Sequence, residues 1–487
     1  MTKTEQSQVS NQSGVKQPPV KAMVGTPLAV LNGVSFSTDS ATNWSKSLSW
    51  QPEATFYPRT LEDLQVIVRE AKKQNKTVRC SGTGHSWCST SVTQDFLVSV
   101  NSMNKIHKPQ QSTEDGQWTV KIEMGVTIEE LDVFLRQNDT PLALATNVLI
   151  DDVRYGGVLT MGCHGPMFNF RTLSDLITEL TIVNAHGDLV TYSENGDPAA
   201  FSAACLNLGL LGIIYTATLR VEPMTTRLLM KDLNPTLESV FGNADGGIGL
   251  SLKKLALENV DGFQLFHWPF KQFKEPEQND RVWVKTWKRT NEALSKKEVD
   301  PKSVPEVDHP LFKTFAVGEQ VLDTPDALHY EMGGGGSTAT IVGVAIKVDE
   351  DFKNIAEAFT ELNWAFSTSS PERRLTILEM RFVKASNKLM SPMYDEDSNA
   401  IYCMMSLYAI SGTPGFKEYS KGIAENWIKK YNGIPHWPKE WEHISNVVPH
   451  IREQYGDRID TFNKVRKVQD PNDMFVNDVW RSVLYGN

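Results

Sequence analysis

Two loops rich in small residues constrain the fold of the first half of this chain. Residues 79–87 read Arg-Cys-Ser-Gly-Thr-Gly-His-Ser-Trp, and residues 154–165 contain four glycines. Strand-like runs flank both loops, and glycine lets backbone N–H groups approach an anion or another chain segment where a Cβ atom would obstruct them. Two tight turns packed against each other would have the same composition. Together with a third turn at 209–212, however, the loops favour an elongated ligand that all three contact.

These glycines do not match the familiar nucleotide-binding patterns. The first loop lacks the GxGxxG spacing of dinucleotide-binding folds, and no helix clearly begins there. Residues 333–336, followed by Ser337, resemble a P-loop only superficially because no lysine follows, so a flexible turn is predicted. A loop histidine such as His85 is more often an ordinary polar residue, so this loop alone does not decide the function.

The chain of 487 residues is longer than one hydrophobic core usually organises, since cores stop growing near ~250–300 residues. At least two domains are therefore expected. Capping boxes that start at Thr60 and Thr127 predict a helix after each of them. Alternating apolar residues predict strands at 77–80, 96–100, 119–124, 179–193 (a hairpin) and 212–221. This pattern ends before Pro223, which is the predicted boundary of the first domain.

Residues 225–435 are predicted to form a second α+β unit. Strands are predicted at 282–287, 338–348, 375–383 and 402–410, and helices at 351–366 and 416–431. The stretch 291–328 is charged and rich in proline, which is typical of a surface loop.

Charge and cysteine content exclude several classes of function. A net charge of −10 is unfavourable for binding nucleic acid, which needs a basic surface. Five cysteines without a CxxC motif predict reduced thiols rather than a disulfide framework or a metal site. Residues 1–25 are predicted to be a disordered tail, and no run of ~18 apolar residues predicts a membrane span. Without a signal peptide the expected location is the cytoplasm, with association with an organelle left open.

From residue 43 onward, short motifs follow one another in an order that is characteristic of one enzyme group. They are Asn43-Trp44, Phe56-Tyr57-Pro58, Gly82–Ser86, Gly156-Gly157, Gly162–Gly165, Leu208–Arg220, Glu379-Met-Arg381, Pro435–Lys439 and Asp470–Asn477. This combination resembles the vanillyl-alcohol-oxidase (PCMH-type) superfamily of FAD enzymes, and within it the oxidases of gulono-, galactono- and arabinono-1,4-lactones. The resemblance covers about residues 43–485, and the ordered set is far more specific than any single motif.

The resemblance implies an α+β, two-domain FAD-binding fold with an α+β cap domain. The FAD-binding domain is expected at 26–224 and the substrate or cap domain at 225–435. A C-terminal segment, 436–487, is expected to return to the FAD domain and to close the active site.

The resemblance also implies where FAD is held. In this family the histidine of Gly-His-Ser is commonly bonded to the flavin 8α-methyl, which predicts a covalent 8α-histidyl link through His85. A single link is expected, because Cys88 is not where bicovalent relatives carry their second cysteine. Further cofactor contacts are expected at Gly82, Thr83, Gly84, Ser86, Gly157, Gly162, Cys163, His164, Gly165 and Ile213. Cys163 replaces the expected Thr, Ser or Ala, and either changes the polarity beside the flavin or only fills space.

The predicted catalytic residues are Glu379, Arg381, Lys439 and His436. The first two are two positions apart on a predicted strand, so their side chains share one face, and the apolar residues between and beside them indicate that the other face is buried. A solvated charge pair would give the same pattern. The resemblance assigns the pair to substrate binding and adds Lys439 as a cation beside the flavin. For His436 a catalytic role and a packing role both stay open.

The expected reaction is oxidation of a sugar 1,4-lactone, with hydride transfer to flavin N5 and reoxidation by O2 to hydrogen peroxide, as in ascorbate- or erythroascorbate-type biosynthesis. The expected partners are thus a small-molecule lactone and O2, and the sequence predicts neither the particular lactone nor the oligomeric state. An alditol oxidase, a secondary-metabolite oxidase and a lactone dehydrogenase with another acceptor stay open. A non-catalytic flavin-binding or sugar-binding protein is disfavoured, because the residues of the site are all present.

Overall fold

The computed structural model describes residues 31, 33–242, 247–267, 281–295, 306–309, 312–314, 318–329, 338–367 and 376–486. The predicted tail at 1–25 and the predicted turn at 333–336 lie outside these residues.

Strands and helices are found in both halves of the chain. The strands are β1 (Ser35–Ser37), β2 (Ala41–Thr42), β3 (Ser49–Trp50), β4 (Ala54–Tyr57), β5 (Val78–Ser81), β6 (Phe96–Ser99), β7 (Gln110–Gln111), β8 (Trp118–Glu123), β9 (Leu142–Ala143), β10 (Ile177–Val183), β11 (Leu189–Ser193), β12 (Ile213–Pro223), β13 (Arg227–Leu233), β14 (Gly262–His267), β15 (Trp283–Thr290), β16 (Glu306–His309), β17 (Phe312–Thr314), β18 (Gly318–Leu322), β19 (Ala339–Lys347), β20 (Ile377–Lys384), β21 (Ile401–Ile410) and β22 (Ile434–Pro435). The α-helices are α1 (Leu61–Gln74), α2 (Ile128–Arg136), α3 (Tyr155–Thr160), α4 (Pro198–Cys205), α5 (Leu237–Phe241), α6 (Leu250–Leu257), α7 (Thr324–Leu328), α8 (Lys353–Ser367), α9 (Phe416–Tyr431), α10 (Val447–Tyr455), α11 (Asp457–Gln469) and α12 (Asp478–Tyr485).

The first half of the chain forms two sheets around a shared core. The strand order is β1-β4-β6-β5 in the first sheet and β11-β10-β12-β8-β7 in the second, with β9 beside β12. Both predicted capping boxes are present, since Thr60 and Thr127 each accept a hydrogen bond from the N3 backbone of the helix that follows. The predicted hairpin is also present between β10 and β11, with Gly187 at φ +78°. Pro223 is the last residue of β12.

The second glycine-rich loop is partly helical, so the expectation of a loop throughout 154–165 was wrong. Helix α3 occupies Tyr155–Thr160 and buries Tyr155, Val158 and Leu159 in the core. Burying these apolar side chains outweighs the cost of about 1 kcal/mol for each glycine in a helix. The remaining glycines of the segment therefore follow the helix C-terminus.

The second half of the chain forms an eight-stranded antiparallel sheet in the order β18-β13-β15-β14-β20-β21-β19-β22. The prediction of a surface loop throughout 291–328 was wrong, because β18 pairs with β13 and helix α7 follows it. Burial of Val321 and Leu322, and a 2.9 Å hydrogen bond from Trp287 Nε1 to the carbonyl of Ala327, fix this segment on the sheet. Strands β13 and β14 were not predicted.

The C-terminal segment leaves the eight-stranded sheet and packs on the first half of the chain. Strand β22 pairs with β19, and after α10 and α11 the backbone N–H of Val78 donates to Met474 O at 2.8 Å. Trp437, Trp441 and Trp480 are each at most 1% exposed. Trp437 packs edge to face on Trp441 and Trp480 at centroid distances of 5.8 and 5.3 Å, and the rings of Trp441 and Trp480 are tilted at 6.2 Å. Burial of these large rings stabilises the return of the chain. In the described part of the chain, no helix is both long and apolar enough to cross a membrane.

Candidate active site

A cavity of about 730 Å³ lies where the two glycine-rich segments and the turn at 208–214 meet the eight-stranded sheet and the C-terminal segment. Most of the predicted site residues line it. They are Gly82, Thr83, Gly84, His85, Ser86, Gly157, Cys163, His164, Ile213, Glu379, Arg381, His436 and Lys439. Gly162 and Gly165, also predicted as cofactor contacts, are not among the lining residues.

Arg79 holds the first loop in place. Its guanidinium is buried and donates hydrogen bonds to the carbonyls of Thr90 at 2.7 Å, Leu208 at 3.0 Å and Gly209 at 3.1 Å, and also to that of Phe475. Burial lowers the pKa of Arg79 to about 10, which still leaves the group charged at neutral pH. One side chain thus fixes the first loop relative to the 208–209 turn and the C-terminal segment.

The glycines of the site have different roles. Gly157 has open space where a Cβ atom would stand, so its backbone faces the cavity directly, and Gly84 needs its positive φ of +78°. A Cβ atom on Gly162 would instead lie 2.7 Å from Leu206, and one on Gly165 would lie 2.3 Å from the carbonyl oxygen of Asn147. These two glycines are needed for packing behind the cavity wall, which is why they do not line it.

His85 lies in the first loop with its ring stacked on Trp44 at a centroid distance of 4.9 Å. Its Nδ1 is 3.0 Å from the hydroxyl of Thr83, and its Nε2 is 3.7 Å from a carboxylate oxygen of Asp152. Burial lowers the pKa of His85, and the charge of Lys439 lowers it further, although Asp152 acts in the opposite direction. The imidazole is therefore neutral near pH 7 and keeps a free lone pair.

Glu379 and Arg381 project from β20 into the cavity, on the face that strand alternation predicts. Arg381 Nη2 lies 2.5 Å from Glu379 Oε1, and Glu379 is 3% exposed. Gln264 on β14 and Tyr408 on β21 each donate a hydrogen bond to this carboxylate. Burial alone would raise the pKa of Glu379, but Arg381 and these hydrogen bonds outweigh it, so the pKa is lowered and the carboxylate stays ionised.

Lys439 enters the cavity from the C-terminal segment. The backbone of this segment is tied to β19, since His436 N donates to Gly343 O and Glu440 N donates to Ile341 O, both at 2.9 Å. The ammonium of Lys439 lies 4.3 Å from the ring centroid of Trp87. Burial lowers the pKa of Lys439 to about 8, and the nearby Glu379 limits the shift.

Two histidines and a cysteine form an uncharged part of the wall. The rings of His164 and His436 lie 5.3 Å apart. Burial lowers the pKa of His164 to about 4 and that of His436 well below its ordinary value, so both are neutral. Burial also raises the pKa of Cys163 to about 11, which keeps this thiol protonated. The charges of this end of the cavity therefore come from Glu379, Arg381 and Lys439.

Gln264 and Tyr408 belong to the site but were not predicted. Tyr408 lies two positions from Ser406, which pairs directly with Glu379, so the phenol and the carboxylate are on one face of adjacent strands. Alternation along β21 places Tyr408 on that face, but the register between β20 and β21 cannot be read from one sequence.

Comparisons with known proteins give two family matches. A model described as "FAD binding domain" matches residues 52–193, and a model described as "D-arabinono-1,4-lactone oxidase" matches residues 349–483. The first match contains His85 and both glycine-rich segments, and the second contains Glu379, Arg381 and Lys439.

Three relatives and one solved structure agree with these matches. An L-gulonolactone oxidase of Scyliorhinus torazame is 25% identical over 466 residues, which cover 91% of this chain and 98% of the relative. An L-gulono-1,4-lactone dehydrogenase of Mycobacterium tuberculosis is 25% identical over 469 residues, with the same coverage. A D-arabinono-1,4-lactone oxidase of Yarrowia lipolytica is 34% identical over 192 residues, 39% of this chain and 35% of the relative. The structure of cholesterol oxidase from B. sterolicum superposes with a TM-score of 0.76 at 16% identity over 96% of this chain and all of that chain, which confirms the predicted fold class.

Proposed function

This chain is an FAD-dependent oxidoreductase related to the sugar-lactone oxidases, and from the geometry of its site we propose that it oxidises a CH–OH group of a sugar 1,4-lactone. The observation that carries this proposal is the meeting of Glu379, Arg381 and Lys439 at one end of the cavity that also contains His85 and the open backbone of Gly157. A site of this kind combines a cofactor channel with a charged end that binds hydroxyl groups.

FAD fits the long part of the cavity. The first loop presents the backbone of Gly82 and Gly84 and the hydroxyl-bearing Thr83 and Ser86 to the cavity. Because glycine has no Cβ atom, the pyrophosphate of FAD can approach the backbone N–H groups closely. When bound, FAD accepts a hydride from the substrate carbon and passes the electrons to an acceptor. The protein contributes position and electrostatics, with the uncharged His164 and Cys163 beside the two cations.

His85 is proposed to carry the flavin through a single 8α-histidyl bond. Its neutral imidazole has the lone pair that such a bond requires, and Trp44 and Thr83 restrict the ring. Cys88 is unsuited to a second link, because its thiol is 3% exposed and lies 2.8 Å from the carbonyl of Trp437. Burial raises the pKa of Cys88 to about 12, so it remains a protonated thiol.

The charged residues are proposed to bind the lactone. Glu379 is ionised and accepts hydrogen bonds from substrate hydroxyls, while Arg381 donates to the ring or carbonyl oxygen. Lys439 stabilises the negative charge that develops on the oxygen of the reacting carbinol as its proton leaves. His436, whose Nε2 lies 3.4 Å from Gly162 O, has a packing role and shields these charges from water.

Dioxygen is the proposed acceptor, with hydrogen peroxide as the product, and an ascorbate-type lactone is the proposed substrate class. A dehydrogenase with another acceptor is the second candidate, because a relative of equal identity carries that name. The proposed location is the cytoplasm.

The purified yellow protein, mixed anaerobically with a sugar 1,4-lactone, is expected to lose its absorbance near the flavin maximum and to regain it on admission of air. L-Gulonolactone, L-galactonolactone and D-arabinonolactone are compared with xylitol under the same conditions. Bleaching by xylitol alone would contradict the lactone proposal in favour of an alditol oxidase. Bleaching by a lactone followed by very slow recovery in air would identify the dehydrogenase.

The Tyr408→Phe variant is expected to shift the acid limb of the kcat/KM profile to higher pH. Glu379 has a lowered pKa, so its carboxylate, and the activity that depends on it, are lost as the pH falls through that pKa. Removing the phenol hydrogen bond raises this pKa, and the loss then begins at higher pH. At the optimum a decrease of about tenfold is expected, as for one hydrogen bond to a charged group. The measurement is the pH dependence of initial rates.

Tyr402→Phe is the matched control. Tyr402 lies on the same strand and face, but its hydroxyl donates to Tyr394 O at 2.9 Å and it does not line the cavity. Its pH profile should equal that of the wild type. An unchanged profile in Tyr408→Phe would contradict the role given to Tyr408.

A further inference from the structure

A second cavity, of about 420 Å³, lies apart from the flavin cavity and shares no lining residue with it. Three cationic side chains, Arg171, Arg220 and Lys388, line it together with Asp175 and Glu194. The charged groups of this cavity thus have an excess of one positive charge in a chain whose net charge is −10.

Lys388 is the unusual member of this group. It is 7% exposed, yet among the described residues its ammonium makes no ion pair or hydrogen bond. The ammonium lies 4.9 Å from the centroid of the Phe201 ring, and its charge opposes the rise that burial causes in the pKa of Asp175. A buried lysine kept for stability would be expected to meet a carboxylate, and a surface lysine would extend its ammonium into bulk water. Lys388 lines the cavity instead, and the carboxylate of Asp175 acts on it without forming an ion pair.

The backbone around Lys388 is fixed. Ser202 donates to the carbonyl of Asn387 at 2.8 Å and accepts from the backbone of Leu389 at 3.0 Å. Lys388 N donates to the hydroxyl of Ser386 at 3.2 Å. These bonds fix the backbone from which the Lys388 side chain extends.

The two carboxylates have other partners. Asp175 accepts from the hydroxyls of Thr172 at 2.6 Å and Ser386 at 3.2 Å, and Glu194 is paired with Arg220. Arg171 makes no ion pair within the described part of the chain and has a backbone φ of +61°, which is rare for a residue other than glycine. Arg171 and Lys388 both lower the pKa of Asp175 through their charge, but among the described residues neither forms an ion pair with it, so their donors remain available for an anion.

We propose that this cavity is a second ligand site, which binds a small oxyanion through Arg171, Lys388 and the outer edge of Arg220. A phosphate group and the carboxylate of an open-chain sugar acid share the required chemistry, since both offer several oxygen acceptors to a guanidinium and an ammonium. The amides of Asn169 and Asn387 also line the cavity and suit a polyhydroxylated ligand.

The test uses the holoenzyme and two probes, inorganic phosphate and D-gluconate, at constant ionic strength. Each probe is followed by the shift in melting temperature and by titration calorimetry. At least one is expected to give a saturable rise in melting temperature, because a ligand that binds only the folded state stabilises it by mass action. Phosphate alone would identify a phosphate ester as the ligand class, and gluconate alone a sugar carboxylate, and either result supports the site.

The Lys388→Met variant is expected to bind the active probe at least tenfold more weakly. Its melting temperature without probe should stay close to that of the wild type, since Asp175 keeps its hydrogen bonds from Thr172 and Ser386. Lys73→Met, at a lysine whose side chain is 74% exposed, is the control and should bind as the wild type does. Arg171→Gln provides a second test that does not depend on folding of the Lys388 variant, and it should also weaken binding at least tenfold.

Three results would overturn the proposal. One is the absence of saturable binding for both probes. Another is an undiminished affinity in both the Lys388→Met and Arg171→Gln variants, which would mean adventitious binding elsewhere. The third is a Lys388→Met protein that melts several degrees lower while the wild type binds neither probe, which would give Lys388 a structural role only. None of these readouts depends on lactone oxidation.

Discussion

The Lys439→Met variant is expected to oxidise its lactone about 10²–10³-fold more slowly than the wild type, which is the usual effect of removing one preorganised group that stabilises developing negative charge. The ammonium lies over Trp87 and makes no ion pair with any residue that the structure describes. When it is removed, the nearby carboxylate of Glu379 keeps its ion pair with Arg381 and its two hydrogen bonds. The loss should therefore fall on kcat, while flavin content and melting temperature stay close to those of the wild type. Stopped-flow reduction of the flavin measures the affected step directly.

The pH dependence separates this role from that of a general base. Burial lowers the pKa of Lys439 to about 8, and the ammonium is the form present below that pH. If the cation is required, flavin reduction by the lactone decreases as the pH rises through about 8. Arginine stays charged throughout this range, so Lys439→Arg should keep part of the activity and lose this alkaline decrease. An activity that instead increases through the same pH range would contradict the cationic role and indicate a neutral amine that accepts the proton.

Local signals predicted those parts of the fold and site that depend on nearest neighbours in sequence. The capping boxes at Thr60 and Thr127 and the turn at Gly187 each involve residues within a few positions of one another, and all three are present. The shared face of Glu379 and Arg381 follows from strand alternation alone. The order of the short motifs along the chain then predicted that residues of the first loop, the predicted strand at 375–383 and the C-terminal segment belong to one site.

Features that depend on contacts between distant segments could not be predicted in this way. Gly162 was expected to contact the cofactor, but its missing Cβ is required by Leu206, forty-four positions later in the sequence. Likewise, Gln264 and Tyr408 reach Glu379 only through the register of three strands. The charged composition of 291–328 suggested a loop, whereas pairing with β13 makes residues 318–322 a strand.

The His85→Ala variant is expected to release its flavin completely on acid precipitation, while the wild-type pellet stays yellow. His85 is the neutral imidazole at the first loop, restrained by Trp44 and Thr83, and alanine has no atom that can form the link. The glycine backbone that surrounds the cofactor is unchanged, so the variant should still bind added FAD reversibly. Absorbance of the supernatant and pellet after precipitation measures the bound and released fractions.

Cys88→Ser is the matched control, because Cys88 is the cysteine nearest to His85 in the sequence. Its Sγ is directed toward the carbonyl of Trp437, and serine can donate the same hydrogen bond. This variant should therefore keep its acid-stable flavin. Acid-stable flavin in His85→Ala would contradict the assignment to His85, and its loss in Cys88→Ser would point to a second link. A neutral imidazole is necessary for the covalent bond but does not by itself form it. Release of flavin from the wild type on acid precipitation would therefore show that the cavity holds FAD without a covalent link.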